Sequence, residues 1–457
     1  MKNNYLTNGP ITKALVKLAL PIMATSFVQM TYTMMDMIWL GRIGSNAVAA
    51  SGTVGFFTWI GSALFILSKI AVEVGVAQSL GKDDIHAARE YVRHSIQLDI
   101  IIALVYTAIL IIFRNSMIGF FRIDDQEVVQ MALDYLVIIS IGLIFYFINP
   151  VLSGVFNGVG DSVTPFKVNV VGLIVNMVLD PLMILGIGPF PYMGIKGAAW
   201  ATVIAQATVT FLFIFECRKL TSLFSGLNIF KLPKKEYLKS IVKLGVPVSI
   251  QNVIFATISM FLARIIAQWG YQAIAVQNVG SQIESISWMT AGGFSTAIST
   301  FVGQNYGAGK WDRIREGYKK GLMIVGIIGL IATFLFFFVP EPIIKIFIPT
   351  DREAIEIGIN YLKILSLSQF FMVVEIATQG AFNGLGKTLP PSLVGIILNA
   401  LRIPGALILS STVLGLNGVW WSICISSILK GVILFIWLAI VLRSFPKSSL
   451  NEAYEEC

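Results

Sequence analysis

Charged side chains are scarce in this sequence. Only 13% of its 457 residues are charged and 56% are hydrophobic, with a mean hydropathy of +0.79. A soluble protein of this size carries about 25% charged residues. So large a shortage means that most of the chain does not meet water. It predicts a polytopic membrane protein and argues against a single soluble core.

The residues that build catalytic and metal centres are rare as well. The three cysteines, Cys217, Cys424 and Cys457, show no CxxC spacing, and the two histidines, His86 and His94, share one polar loop. These numbers argue against a disulfide framework, a zinc site and a histidine-based triad. HExxH and GxSxG motifs are absent, so we expect no enzyme, and a membrane-embedded enzyme is the least favoured alternative.

Two further signals are weak. The stretch GLGKT at 384–388 has Ala381 where a phosphate-binding loop needs glycine, so we expect no nucleotide binding and no cofactor. The first thirteen residues show no cleavable signal pattern. The net charge of +8 does not require nucleic acid, because its distribution follows the positive-inside rule.

Long apolar runs fill most of the chain. A spanning helix needs about 20 apolar residues, since about 30 Å of hydrocarbon is crossed at about 1.5 Å per residue. The runs predict twelve spans, at 14–40, 46–79, 94–113, 130–157, 165–187, 194–216, 242–268, 272–304, 318–339, 357–384, 390–414 and 417–442. With a cytoplasmic N-terminus, 22 of the 33 Lys and Arg residues fall on inner segments and 6 on outer loops. This bias predicts that both termini are cytoplasmic.

The two halves of the chain repeat at an offset of 226 residues. KLALP at 17–21 returns as KLGVP at 243–247, and GVFNGVGDSVTP at 154–165 returns as GAFNGLGKTLPP at 380–391. Six spans in each half give both halves the same topology, which is an arrangement of alternating-access transporters. We therefore predict an all-α integral membrane protein with two pseudo-symmetric six-helix bundles. The predicted parts are an N-lobe at 1–217, a basic cytoplasmic linker at 218–241, and a C-lobe with a cytoplasmic tail at 242–457.

Ionisable residues inside the spans are the strongest functional signal. Each costs about 2.5–3.5 kcal/mol at a helix centre on insertion scales, so each calls for a partner or a function. In the first half Lys69 and Glu73 are four residues apart and can neutralise each other. Asp36 and Asp180 have no evident cation. Two such carboxylates, beside Asn, Thr and Tyr oxygens, predict a site for H⁺ or Na⁺.

The second half has diverged at these positions. Asp36 aligns with Leu262, Asp180 with Ile403 and Thr202 with Ile423. The second half instead has two acids and two bases within its spans: Glu284, Glu375, Arg402 and Lys430. These four residues are candidates for a second-lobe site, and the alternative is that they pair internally.

The motifs together resemble the multidrug and toxic compound extrusion (MATE) transporters. The resemblance is carried by YxxxD from Tyr32 to Asp36, by VAQSLGKDD and its repeat partner VGQNYGAGK, by NxxxDP from Asn176 to Pro181, and by GAAWAT at 197–202. It covers nearly the whole chain. It implies a V-shaped pair of six-helix lobes and a cation-driven antiporter for organic cations and other amphipathic drugs.

The resemblance also implies roles for individual residues. Asp36, Asn176, Asp180 and Thr202 would form the cation or proton site of the first lobe, with Tyr32 beside it. Pro21 would be the bend point of helix 1. Ser153 stands at a position that is often Asn in the family, with Asn149 one turn away.

One branch of the family carries a second-lobe Na⁺ site on acids of helices 7 and 10. Phe255 and Met372 stand at those positions here, which favours a DinF-like member.

The sequence therefore predicts a multidrug efflux antiporter without cofactors, driven by H⁺ or Na⁺. The one metal ion expected is Na⁺ at Asp36 and Asp180. The expected partners are small-molecule drugs and membrane lipid, not nucleic acid. We expect a monomer in the plasma membrane of a prokaryote. The alternative is a lipid-linked oligosaccharide flippase of the same architecture, which would need a cationic groove for pyrophosphate.

Overall fold

The computed structural model describes residues 5–446, so Cys457 and the predicted tail lie outside the described part. Within that part every regular element is helical. The α-helices, in chain order, are α1 (Tyr5–Asn8), α2 (Ile11–Ile43), α3 (Ser45–Gly81), α4 (Ile85–Ile112), α5 (Arg114–Gly119), α6 (Gln126–Val159), α7 (Val163–Leu185), α8 (Ile195–Cys217), α9 (Thr221–Phe224), α10 (Lys235–Ile266), α11 (Tyr271–Gly307), α12 (Trp311–Phe338), α13 (Pro340–Phe347), α14 (Arg352–Gly384), α15 (Leu389–Ala400), α16 (Arg402–Ser410) and α17 (Leu416–Arg443).

Each of the twelve predicted spans is largely helical, and the span 390–414 is divided at Leu401 into α15 and α16. Among the described residues, eleven helical segments are long and apolar enough to cross a membrane, counting α15 with α16 as one. The twelfth, α11, has 37 residues but is more polar, with Asn278, Ser281 and Gln282 on its exposed face. The prediction of an all-α, multi-pass membrane protein is confirmed.

The chain forms two compact units. Within the described residues, one unit comprises 24–245 and the other comprises 5–23 together with 246–446. Helix α2 is therefore divided between them after Met23, and α10 after Gly245. The predicted division into 1–217, 218–241 and 242–457 stays a prediction.

Each unit is built on one central helix. In the first unit α6 packs against α3, α4 and α8, and in the second unit α14 packs against the corresponding helices α11, α12 and α17. The repeat extends to single atoms. Thr107 Oγ1 donates to the carbonyl oxygen of Ser140 at 3.0 Å, and Thr333 Oγ1 donates to that of Ser366 at 3.0 Å. Both pairs are related by the offset of 226, so the sequence repeat is a structural repeat.

Glycine permits a close helix contact at equivalent points of both units. A Cβ atom on Gly154 of α6 would lie 2.9 Å from the carbonyl oxygen of Lys69 on α3, and one on Gly380 would meet that of Ser295. Backbone oxygen cannot move aside as a flexible side chain can. We expect Gly154→Ala to lower the free energy of unfolding by about 1–3 kcal/mol, measured as a lower Tm in detergent.

Gly52→Ala in α3 is the matched control, because no atom lies within 4 Å of the added Cβ. Alanine favours a helix by about 1 kcal/mol over glycine, so this variant should hold or raise the Tm. Equal effects of the two substitutions would contradict the described packing.

The segment predicted as a linker is attached to α4 of the first unit. His94 Nε2 accepts a hydrogen bond from the backbone N–H of Lys234 at 2.7 Å, and its ring stacks on Tyr237 at 5.2 Å. Gln97 Nε2 donates to the carbonyl oxygen of Lys231 at 2.8 Å. Helix α10 also begins within this segment, at Lys235. Several of its backbone groups thus have fixed partners.

Candidate functional site

The acids predicted for the first lobe lie near the same end of neighbouring helices. Asp36 lies two turns before the end of α2, and Asp180 lies little more than one turn before the end of α7. Thr202 lies two turns after the start of α8. Helix α7 is followed directly by Gly186, whose φ of 71° is left-handed and suits glycine. Because α7 and α8 run in opposite directions, the C-terminal end of α7 lies beside the N-terminal part of α8.

The structure brings the predicted residues together. Asn176 Nδ2 donates to Asp180 Oδ1 at 3.1 Å, and Thr202 Oγ1 donates to Asp36 Oδ2 at 3.4 Å. The hydroxyl of Tyr32 donates to the backbone oxygen of Thr202 at 3.4 Å. The side chains of Asp36 and Asp180 also interact directly with each other. Five residues from α2, α7 and α8 therefore form one cluster.

Three oxygens of this cluster have no hydrogen-bond donor among the described residues. They are Asp36 Oδ1, Asn176 Oδ1 and Asp180 Oδ2, and all three are buried. Asn176 and Asp180 are wholly buried as residues. A buried polar atom without a partner costs about 1–3 kcal/mol, and a charged one costs more. The donor set of two carboxylates, an amide and a hydroxyl fits a small hard cation or a proton.

Sequence reasoning misses a second layer of polar groups. Tyr135 of α6 is buried and interacts electrostatically with Asp36 and Asp180. Gln206 of α8 interacts with Tyr32, and its side-chain oxygen accepts from Asn149 Nδ2 at 2.8 Å. Gln206 lies four residues after Thr202 on the same helix. That i, i+4 spacing is the signal that could have found it.

Ser153 is not bonded to the cluster of Tyr32, Asp36, Asn176, Asp180 and Thr202. It lies on α6 one turn after Asn149, but it takes part in none of the hydrogen bonds that link the cluster. Asn149 accepts a hydrogen bond from Thr210 Oγ1 at 2.7 Å in addition to its bond with Gln206. The role of Ser153 stays a prediction.

The second unit has an apolar cluster at the equivalent place. Leu262, Ile403 and Ile423, the repeat partners of Asp36, Asp180 and Thr202, pack in one hydrophobic cluster with α11 and α17 residues. Leu262 is 5% exposed. The same helix arrangement is therefore built with aliphatic side chains, and the acids of the first unit are not needed for the fold.

Of the four charged residues predicted within the spans of the second unit, two form an ion pair with each other. Lys430 Nζ lies 3.0 Å from Glu375 Oε1, and both residues are buried. Arg402 Nε donates to Ser426 Oγ at 2.9 Å, and its Nη2 donates to Ser427 Oγ at 3.0 Å. The alternative of internal pairing is confirmed for Glu375 with Lys430.

Glu284 differs from the other three charges of the second unit. It interacts with Tyr361 and Arg402, but its Oε1 is buried without a hydrogen-bond partner within the described ranges. Its place as a second-lobe candidate stays a prediction.

Breaking the Glu375–Lys430 pair on one side should destabilise the protein strongly. We expect Glu375→Gln to cost about 3–5 kcal/mol, because Lys430 is left as a buried charge without its counter-ion. The measurement is thermal unfolding in detergent, followed by tryptophan fluorescence. The double variant Glu375→Gln with Lys430→Met should recover most of the loss. Equal stability of the single variant and the wild type would contradict a structural pair.

Pro21 lies inside α2, which continues from Ile11 to Ile43. It precedes by two residues the point at which α2 passes from the second unit to the first. Proline removes one helical hydrogen bond, so this position tolerates bending. Its role as a bend point stays a prediction.

Comparisons with known proteins agree with the repeat. A family model described as MatE matches the chain twice, at residues 21–182 and 247–408, and the two matches differ by the same offset of 226. A "probable multidrug resistance protein NorM" of Thermotoga maritima is 34% identical over 429 residues, covering 91% of this chain and 90% of that protein. An "FAD transporter" of Shewanella oneidensis is 22% identical, covering 94% and 95%.

Solved structures show the same fold. A MATE crystal structure in a straight conformation superposes with a TM-score of 0.89 at 24% identity, over 98% of this chain and all of that one. The prediction from the sequence motifs is confirmed at the level of the family, and the family model and the relatives are of transporters, not of enzymes. The chain is a member of the MatE family of transporters.

Proposed function

We propose that this protein is a multidrug efflux antiporter that exports organic cations and other amphipathic drugs in exchange for H⁺ or Na⁺. The observation that carries the proposal is the contrast between the two units. Asp36 and Asp180 each have a buried oxygen without a hydrogen-bond partner in the described part of the chain, while their repeat partners lie in a hydrophobic cluster. A buried acid that the fold does not require is retained for a function. The name of the Thermotoga maritima relative supports drugs as the cargo.

The coupling ion is proposed to act by binding one conformation of the transporter more tightly than the other. An ion shifts a two-state equilibrium only by as much as it binds one state better than the other. Asp36 on α2 and Asp180 on α7 share the site, so neutralising their charge changes how these two helices attract or repel each other. In the proposed cycle the outward-facing site takes up the ion, α2 rearranges around Pro21, and the drug loses its site and leaves. The protein acts as a monomer in a prokaryotic plasma membrane, with both termini in the cytoplasm.

The alternative of a lipid-linked oligosaccharide flippase is less well supported. Recognition of a pyrophosphate needs cationic side chains that are free to bind it. Lys430 is paired with Glu375, and Arg402 donates to two serine hydroxyls. Both cationic side chains that could have formed a pyrophosphate-binding groove therefore already have partners within the protein.

Transport in proteoliposomes tests the proposal and separates the two ions. Ethidium accumulation is measured under an imposed pH gradient, an imposed Na⁺ gradient, or neither. We expect one of the two gradients to drive ethidium against its concentration gradient, and the other to have no effect. Equal transport in all three conditions would contradict antiport.

A further inference from the structure

The first unit holds a third buried acid that lies apart from the candidate ion site. Asp99 is the fifteenth of the 28 residues of α4 and is wholly buried. Neither of its carboxylate oxygens makes a well-aligned hydrogen bond with a described residue. Its interactions reach neither Asp36 nor Asp180.

Two serine hydroxyls lie beside Asp99. Ser68 of α3 interacts with its side chain, and Ser95 precedes it by four residues on the same face of α4. Both serines are wholly buried, and both hydroxyl oxygens have no partner among residues 5–446. Four unpartnered oxygens from three side chains therefore lie in one buried region between α3 and α4.

The second unit provides an internal control. At the offset of 226, Ser68 corresponds to Phe294, Ser95 to Gly321 and Asp99 to Val325. Phe294 and Val325 are buried in one hydrophobic cluster. The packing of this helix pair therefore needs no polar group here, just as it needs no acid at the position of Asp36. Replacing a buried charge by an apolar residue is often neutral or stabilising, so retention of Asp99 indicates a function.

No counter-ion within the described residues accounts for Asp99. The elements packed around Asp99 carry the ionisable side chains Lys69 and Glu73 on α3 and Glu90, Arg93 and His94 on α4, with Asp134 on α6 and Lys243 on α10. Arg93 is engaged by Glu90 at 2.5 Å, and Lys69 interacts with Glu73. Ser68 is the one described side chain whose electrostatic interaction reaches Asp99.

We propose that Asp99, Ser68 and Ser95 form a second proton-binding site, which releases its proton when the drug binds and takes it up again later in the transport cycle. A proton needs a single acceptor, and a carboxyl group that carries one can donate to a serine oxygen. The proton therefore neutralises the buried carboxylate without a cation. The part of the proposal that concerns the transport cycle rests on the proposed antiport, whereas proton binding by Asp99 does not.

The first experiment asks where the proton is. Infrared difference spectra are recorded in H₂O and D₂O on protein in vesicles of neutral lipid. The background carries Asp36→Asn and Asp180→Asn, which removes the candidate ion site. We expect a band of a protonated carboxyl group that disappears when Asp99→Asn or Asp99→Val is added and stays with Asp99→Glu. Asp99→Val copies Val325 and is expected to fold, which its Tm checks. A band unchanged by both substitutions would overturn the proposal.

The second experiment asks whether the proton moves. Ethidium is added to otherwise wild-type protein in weakly buffered solution with a pH indicator dye. We expect the wild type to release about one proton per transporter more than the Asp99→Asn variant. Equal release would overturn the role in transport. If the Asp36→Asn variant loses proton release while the Asp99→Asn variant releases as much as the wild type, the proposed antiport stands and the transport role of Asp99 is overturned. No release from the wild type, with the infrared band present, would remove proton antiport and keep the proton site.

Discussion

Replacing Asp36 by Asn is expected to reduce gradient-driven ethidium export in proteoliposomes to the level of protein-free vesicles. Asn has the same shape as Asp, and its oxygen can still accept from Thr202 Oγ1. The variant loses only the charge that is proposed to bind the ion. We expect it to insert into the membrane and to unfold within about 1 kcal/mol of the wild type. The measurements are ethidium flux and Tm on the same preparation.

Asp134→Asn is the matched control for this substitution. Asp134 lies on α6 and its carboxylate is 3.1 Å from Lys196 Nζ, with both side chains partly exposed. A pair of this kind contributes about 0–1 kcal/mol, so flux should stay at the wild-type level. Normal export by the Asp36→Asn variant would contradict the proposal that Asp36 binds the coupling ion. Loss of export in both variants would show an effect that is not specific to Asp36.

Copying the apolar cluster of the second unit into the first should separate folding from transport. The triple variant carries Asp36→Leu, Asp180→Ile and Thr202→Ile, which are the residues that stand at the equivalent positions. We expect ethidium export to be lost completely, because no oxygen of these three side chains remains. We expect the Tm to equal or exceed that of the wild type, because buried charges give way to packed aliphatic groups.

The reverse exchange controls for the number of substitutions. Leu262→Asp, Ile403→Asp and Ile423→Thr in the second unit place two acids in the cluster that Leu262 helps to form. We expect this variant to be strongly destabilised or not to accumulate. Tyr361 stands at the position of Tyr135, but Ile258 and Ser427 stand where the first unit has Tyr32 and Gln206, so the new acids lack part of the polar surroundings of the first unit. A Tm loss of several degrees in the forward variant would contradict the view that the acids are dispensable for folding.

Hydropathy and the repeat predict the fold well, for a physical reason. A membrane span must satisfy its backbone internally and cover itself with apolar side chains, so its position is evident in any window of about 20 residues. The twelve spans and the offset of 226 are therefore visible in the sequence. Helix α11 is the weakest by composition, and its repeat relation to α3 identifies it.

Part of the candidate site follows from the same logic. Asp36 and Asp180 are recognisable because each is an acid in an apolar run whose repeat partner is aliphatic. The second layer is harder to predict from the sequence, because Tyr135 and Gln206 are ordinary residues for a helix. Their role is evident only from the contacts that bring α6 and α8 together. Asp99 carries the same signal as Asp36, with Val325 as its partner, but it follows the polar stretch EYVRHSIQ and is easily counted with it.

The most direct test of the account is the simultaneous measurement of two fluxes in one proteoliposome preparation. Ethidium movement is followed by fluorescence, and movement of the driving ion by an internal pH dye or by radioactive Na⁺. If Asp36 couples the two movements, wild-type protein moves the ion in the direction opposite to ethidium, and the Asp36→Asn variant moves neither against a gradient. Uphill ethidium transport without opposite ion movement, or by the variant as by the wild type, would contradict it.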